Sequence, residues 1–453
     1  MTNISLDSHN RSNPASPRSA VTVLNLLLAA IIIYIPYQNH YPVVIDIKGL
    51  NLINTMFLFA LLMILVRKSS TESPTPLKGI FLSFFAVLTL SFLIGQLYDG
   101  SRMPEDLTAL KSGIFYMLFY FLFYHGVRDV KSIRFLLGAI LFVTLIVSVH
   151  AFRQALDYGL GVYNESRRAG GPFAVDSSGS NLAAAFFVIF VPLFISLALY
   201  RKSAVTVRLA ALAFGIFGVF AAFFTYSRQA YFILAILLLL RMLRGHLFLG
   251  VLLTMAILNY DVWVPEGVVD RLTMTEQTDE QGEKKLDEST ESRFIIWEGA
   301  SQMIAERPWG IGLNHFPREM GRYVPGYNKF DAHNGYILVT TEMGVQGLIV
   351  LVILLGSLLN LSRKVEQVNT SEEAKSLGTA FQISVIAAIL ANLFGSRFFN
   401  GEVMGNFWIL SGLVARYYTL ELERQTALVP PPVNAVQGLS IQSAVVDKRQ
   451  SKS

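Results

Sequence analysis

The chain has 453 residues, of which 53% are hydrophobic and 15% charged. A soluble domain carries about 25% charge, so this composition, with apolar runs recurring along the chain, excludes an ordinary soluble globule and indicates a polytopic membrane protein. Cysteine is absent, which excludes disulfides, thiolate chemistry and Cys-based metal sites, and the formal charge of +5 is dispersed over loops rather than gathered into a nucleic-acid-binding patch.

The N-terminal tail, 1–20, is polar and rich in Ser and Asn. Arg18 precedes the first apolar run, but further runs follow and no small-residue cleavage site stands out, so an uncleaved first helix is expected rather than a signal peptide. A membrane span needs about 20 mostly apolar residues. Runs of this kind lie near 21–36, 50–66, 79–97, 112–127, 135–152, 180–200, 207–226, 229–241, 245–262, 336–360, 378–395 and 403–419. They predict an all-α fold of about twelve transmembrane helices. Helices 1–9 fall within 21–262 and helices 10–12 within 336–419.

Loop charge sets the expected orientation. Arg67, Lys68 and Lys78 lie in one basic loop; Arg128, Lys131 and Arg134 in the next of that side; then Arg201, Lys202 and Arg208, followed by Arg241 and Arg244. The intervening loops are mildly acidic (Asp99, Arg102, Glu105, Asp106) or balanced, as after Arg153. The positive-inside rule then places both termini in the cytoplasm, and the segment 263–335, between helices 9 and 10, outside it. The tail 420–453 contains three consecutive prolines at 430–432 and many polar residues, and is expected to be disordered.

The long loop divides in two. From Glu276 it is charged and lacks apolar periodicity, which suggests a flexible or partly helical surface segment. From Glu291 to Ala305, Phe294, Ile295, Ala300, Met303 and Ile304 fit a helix packed on one face, with Ser289 or Thr290 as its cap. Pro308, Gly310 and Gly312 then break it into a turn.

The polar residues here are candidates for chemistry, because long polar loops beside helix ends are where membrane proteins place their sites. Arg228, in a short outer connection, either snorkels to headgroups or forks onto a phosphate. Arg293 and Trp297 are four apart on one helix face and form either a cation–π pair or part of a phosphate site. His333, in DAHNGY directly before the tenth span, is either a packed interfacial residue or a base able to take a proton near neutral pH. His315, in a Gly-rich turn, reads as packing. No HExxH-type ligand spacing, P-loop, GxGxxG or GxSxG is present, so metal hydrolysis, ATP-driven work and serine hydrolysis have no support. Few ionisable groups fall inside spans apart from His150, which argues against an ion-coupled transporter.

Three stretches carry a resemblance: TYSRQAYF around Arg228, ESRFIIWEGASQMIAERPWGIGLNHF from Glu291, and DAHNGYILVTTEMGVQGL from Asp331. With the topology, they resemble the O-antigen ligase/polymerase family of integral membrane glycosyltransferases. The resemblance implies a membrane glycosyltransferase (GT-C-like) fold in the bacterial inner membrane. It implies metal- and cofactor-independent, inverting transfer of a glycan from undecaprenyl diphosphate to an acceptor sugar, with lipid A-core the expected acceptor. By the same resemblance Arg228 and Arg293 bind the lipid diphosphate, and His333 is the catalytic base or positions the acceptor hydroxyl. Asn334, Tyr336, Glu342, Trp297 and Arg397 support the site. Polymerisation of lipid-linked O-antigen, capsule or exopolysaccharide units is the alternative in the same chemistry, and lipid-linked glycan transport the alternative in another class. No large soluble segment follows the last span, unlike what the resemblance implies for a protein O-oligosaccharyltransferase.

Overall fold

The computed structural model describes residues 22–43, 50–67, 73–98, 101–160, 163–173, 177–243, 247–273, 276–278, 284–286 and 288–428. The first helices are α1 (Val23–Tyr34), α2 (Leu52–Val66), α3 (Lys78–Gly95), α4 (Met103–Gly126), α5 (Val130–Tyr158), α6 (Ser177–Ala198), α7 (Val205–Phe223), α8 (Arg228–Leu243) and α9 (Leu247–Leu258). The long loop contains α10 (Tyr260–Trp263), α11 (Glu266–Thr273), strands β1 (Glu276–Thr278) and β2 (Lys284–Leu286), α12 (Glu288–Glu306) and α13 (Phe316–Tyr323). The chain then returns through α14 (Gly335–Gln367), α15 (Glu372–Ala391) and α16 (Gly401–Leu428).

Each of the twelve expected spans coincides with a helix. Among the described residues seven of them, α3 to α7, α14 and α15, are long and apolar enough to cross a membrane, and α1 and α2 are shorter apolar helices. The fold is therefore a polytopic helical bundle, with the count of twelve crossings not reached on length and hydropathy alone. Local chemistry sets the starts. Asn51, Asp129 and Ser371 each accept a hydrogen bond from the amide three residues on, which satisfies an orphan donor of α2, α5 and α15. Outer faces are apolar and exposed, as with Leu58, Phe59 and Leu62 on α2 and Leu209, Leu212 and Ile216 on α7, the pattern of a surface solvated by lipid. The middle of the bundle is α6, 83% buried over its apolar window, with Phe186, Phe187 and Phe190 in the core. The Ser384 hydroxyl of α15 donates to the Ile189 carbonyl of α6 at 2.9 Å.

Successive helices reverse direction, so the ends of α3, α5, α7 and α15 meet the starts of α4, α6, α8, α14 and α16 at one end of the bundle. The long loop packs on that end: Leu313 N donates to Ser91 O of α3 at 3.3 Å, and Asn314 Nδ2 to Asp106 of α4 at 3.2 Å.

Three local expectations are corrected. The charged stretch from Glu276 contains an antiparallel ribbon, with Glu276 opposite Leu286. The helix expected to begin after Ser289 or Thr290 starts at Glu288, and it buries Ile296, Ala300 and Met303 while Phe294 is exposed. Finally, α16 runs to Leu428, so 420–428 is helical; the expected tails 1–20 and 429–453 lie outside the described residues.

Candidate active site

The tenth span was expected to be continuous, and it is not. Gly344 leaves the helix with φ 73° and ψ −179°, a conformation reserved in practice for glycine. The segment Pro308–Gly312, expected as a simple turn, lies in this break. Val345 N donates to Pro308 O at 3.0 Å, Ile311 N to Thr341 O at 2.9 Å and Gly312 N to Glu342 O at 3.1 Å. Gln346 Nε2 reaches Trp309 O at 2.8 Å. Non-helical backbone at membrane depth survives only where protein satisfies its polar groups, and here the loop does so. The approach requires glycine on both sides: a Cβ on Gly310 would lie 2.5 Å from Glu342 O, and one on Gly344 2.5 Å from the Trp309 carbonyl carbon.

Glu342 sits at the same break, buried. Its Oε1 accepts from Phe316 N, the first residue of α13, at 3.1 Å. A carboxylate at a helix start pairs with unsatisfied amides and the helix dipole, so Glu342 ties the loop to the span. A second tie is Arg318 of α13, whose guanidinium lies 2.7 Å from buried Asp106 and 3.0 Å from Glu105. His315 is buried, with Nδ1 3.0 Å from Leu313 O, in keeping with the packing role expected of it.

On this frame the His333 group is assembled. Asn334 caps α14, its Oδ1 accepting from Tyr336 N at 2.9 Å and Ile337 N at 3.1 Å. His333, immediately before, has φ 50°, an uncommon left-handed conformation for a residue with a Cβ and one that clusters at functional sites. Two neighbours fix the backbone around it. Trp297 Nε1 donates to Ala332 O at 2.9 Å, and Gly335 N donates to Asn392 O at 2.7 Å. Asn392 also accepts, through Oδ1, the amide of Arg397 at 2.9 Å. Tyr336 donates to Ile389 O at 3.0 Å and packs edge-on against Phe398 at 5.4 Å. The turn carrying Arg397 is thus bound to the start of α14.

Charge follows the same geometry. His333 Nδ1 is 3.8 Å from Asp331 Oδ2, and both side chains retain solvent access, 37% and 42%. Burial lowers the His333 pKa below its ordinary value, Asp331 opposes this, and the cations of Arg293 and Arg397 reinforce it. The imidazole is therefore held neutral, the form that accepts a proton. Burial likewise lowers the pKa of Arg397, with Asp331 opposing and Arg293 reinforcing, although a guanidinium remains charged in any protein. A neutral base among two guanidinium groups can take a proton from a hydroxyl while an anion is held beside it.

Of the residues singled out from sequence, Arg293, His333 and Arg397 share this neighbourhood. Trp297, Asn334 and Tyr336 fix its backbone, and Glu342 holds the supporting loop. Arg228 is placed differently. It opens α8 after Ser227, whose hydroxyl lies 3.3 Å from Asn181 Oδ1. Asn181 also receives Arg168 Nη2 at 3.0 Å, while Arg168 Nε donates to Thr225 O at 2.9 Å. Arg271 lies over the Tyr163 ring at 4.8 Å. Burial lowers the Arg168 pKa. Tyr226, two residues before Arg228, has φ 47°. Arg228 thus borders a second polar group at the same end of the bundle. Sequence reasoning passed over Arg168 and Arg271, and it gave Asp331 no role. The available signal was Arg167–Arg168 in a connection expected on the side that the positive-inside rule leaves poor in arginine.

No curated protein is a significant match to the chain. Residues 170–352 match the family model described as O-antigen ligase. The matched region contains Arg228, Arg293, Trp297, His333, Asn334, Tyr336 and Glu342, and ends before Arg397. Over residues 170–352 the chain is thus similar to the O-antigen ligase family.

Proposed function

We propose that the protein is an O-antigen ligase-like glycosyltransferase that moves a glycan from undecaprenyl diphosphate to an acceptor sugar, lipid A-core, at the periplasmic face of the inner membrane. The observation that carries this reading is the meeting of His333, Arg293 and Arg397 at the loop-bearing end of the bundle, within and beside the family domain. His333 takes the proton of the attacking hydroxyl. The acceptor oxygen bonds to the anomeric carbon as the bond from that carbon to the diphosphate oxygen breaks, giving inversion. The charge that develops on the departing diphosphate falls to fixed guanidinium groups, Arg293 and Arg397 near the base and Arg228 from the neighbouring group. Preorganised cations suit this task without a metal.

Polymerisation is the second reading, because ligases and polymerases share the matched family. Purified protein in vesicles, supplied with undecaprenyl-diphosphate-linked glycan and EDTA, separates the two. Product on added lipid A-core supports the ligase. Elongation of the lipid-linked glycan alone makes the protein a polymerase. No glycosidic bond with either acceptor would contradict both.

A further inference from the structure

At the opposite end of the bundle, where α6, α8 and α14 finish and α15 begins, a cavity of about 750 Å³ opens between the helices. Arg201, Arg241, Arg363 and Lys375 line it, against the carboxylates of Glu366 and Glu372. Glu366 already accepts from Thr379 Oγ1 at 2.8 Å, and Glu372 lies in the first turn of α15, where the helix dipole favours an anion. The wall is therefore cationic in excess. A second cavity of about 520 Å³ adjoins the first, sharing Tyr200 and Ser376 with it. This one is apolar, walled by Leu137, Leu141, Leu193, Leu197, Leu377 and Phe381, with the Arg134–Glu373 ion pair at its rim.

We propose that the two adjoining cavities hold one anionic phospholipid, its phosphodiester against Arg201, Arg241, Arg363 and Lys375 and an acyl chain in the apolar cleft. The two halves of the site argue for a lipid together. A soluble anion leaves the apolar cleft without an occupant, and a neutral lipid does not match the net positive charge of the wall. Loop charge bias alone accounts for basic residues at this end but not for an apolar cleft beside them. Basic pockets between transmembrane helices bind anionic headgroups on this principle. The site is remote from His333 and does not depend on the proposed reaction.

The test is native mass spectrometry and thermal unfolding of the delipidated full-length protein, titrated with phosphatidylglycerol, phosphatidylcholine or inorganic phosphate. Phosphatidylglycerol is expected to bind and stabilise in preference to phosphatidylcholine. Substitution of the exposed pair Arg363→Gln and Lys375→Gln should weaken phosphatidylglycerol binding roughly 30-fold. Leu197→Trp, which narrows the apolar cleft and leaves every charge in place, should also weaken it. Equal binding of the two lipids, stabilisation by phosphate equal to that by phosphatidylglycerol, or wild-type binding by both variants would overturn the proposal.

Discussion

The Trp297 indole donates to the carbonyl of Ala332, 35 residues away in sequence, at 2.9 Å. That bond holds the backbone one residue before His333, and it ties the loop helix α12 to the start of α14. Trp297→Phe keeps the ring and removes the donor. The expected outcome is a roughly 10- to 100-fold fall in the rate of transfer, the cost of small misplacement at a reacting centre, with thermal unfolding of the bundle nearly unchanged. An equal fall in stability and rate would mean that Trp297 serves packing alone.

Acid pH should silence the protein by protonating His333. Burial, Arg293 and Arg397 hold its pKa below the ordinary 6.5 against the opposing pull of Asp331. The acid limb of the pH–rate profile is therefore expected to have its midpoint below 6.5. Asp331→Asn removes the one charge that raises the pKa, so the limb should move to lower pH. Arg397→Gln removes a charge that lowers it, so the limb should move up. Limbs that stay fixed in both variants would show that another group titrates.

The break in α14 makes a distinct prediction about stability. Gly310→Ala and Gly344→Ala each place a Cβ 2.5 Å from backbone in a positive-φ conformation, and each should cost at least about 1–3 kcal/mol. Gly356→Ala, further along the same helix with no atom within 4 Å of the added carbon, should leave stability unchanged or slightly raised. Thermal unfolding in one detergent compares the three.

This break also shows where the sequence was legible and where it was not. Each expected apolar run coincides with a helix, because burial in lipid demands continuous apolar runs, although only seven of these helices among the described residues are long and apolar enough to cross a membrane. DAHNGY drew attention to His333 because it sets a side chain able to take a proton near neutral pH directly before a span. The interruption at Gly344 was not visible, since ValThrThrGluMetGlyVal lies inside one apolar run and its partner, Pro308–Gly312, is separated from it by a polar loop. The role of Glu342 depends on the same long-range contact. Arg168 and Arg271 were missed for a related reason: they come from segments about 100 residues apart and are brought together beside Tyr163. Periodicity reports one helix face at a time and carries no record of which loops meet over the bundle's end.

Arg318 and Asp106 provide a second test of how the loop is docked. Asp106 is fully buried and its only cationic contact at 2.7 Å is Arg318 among the described residues. Arg318→Ala leaves that carboxylate without its counterion and should cost up to about 3 kcal/mol. The double variant Asp106→Asn, Arg318→Ala should cost less than the sum of the two single changes. Strict additivity in thermal or denaturant unfolding would argue against a coupled pair.

Glycan transfer by the His333→Ala protein, reconstituted beside wild type at matched amount and unfolding temperature, tests the central proposal most directly. A general base contributes roughly 100- to 10,000-fold, so transfer should fall within that range while binding of the lipid-linked donor persists. Transfer at the wild-type rate would contradict the assignment of His333 as the base.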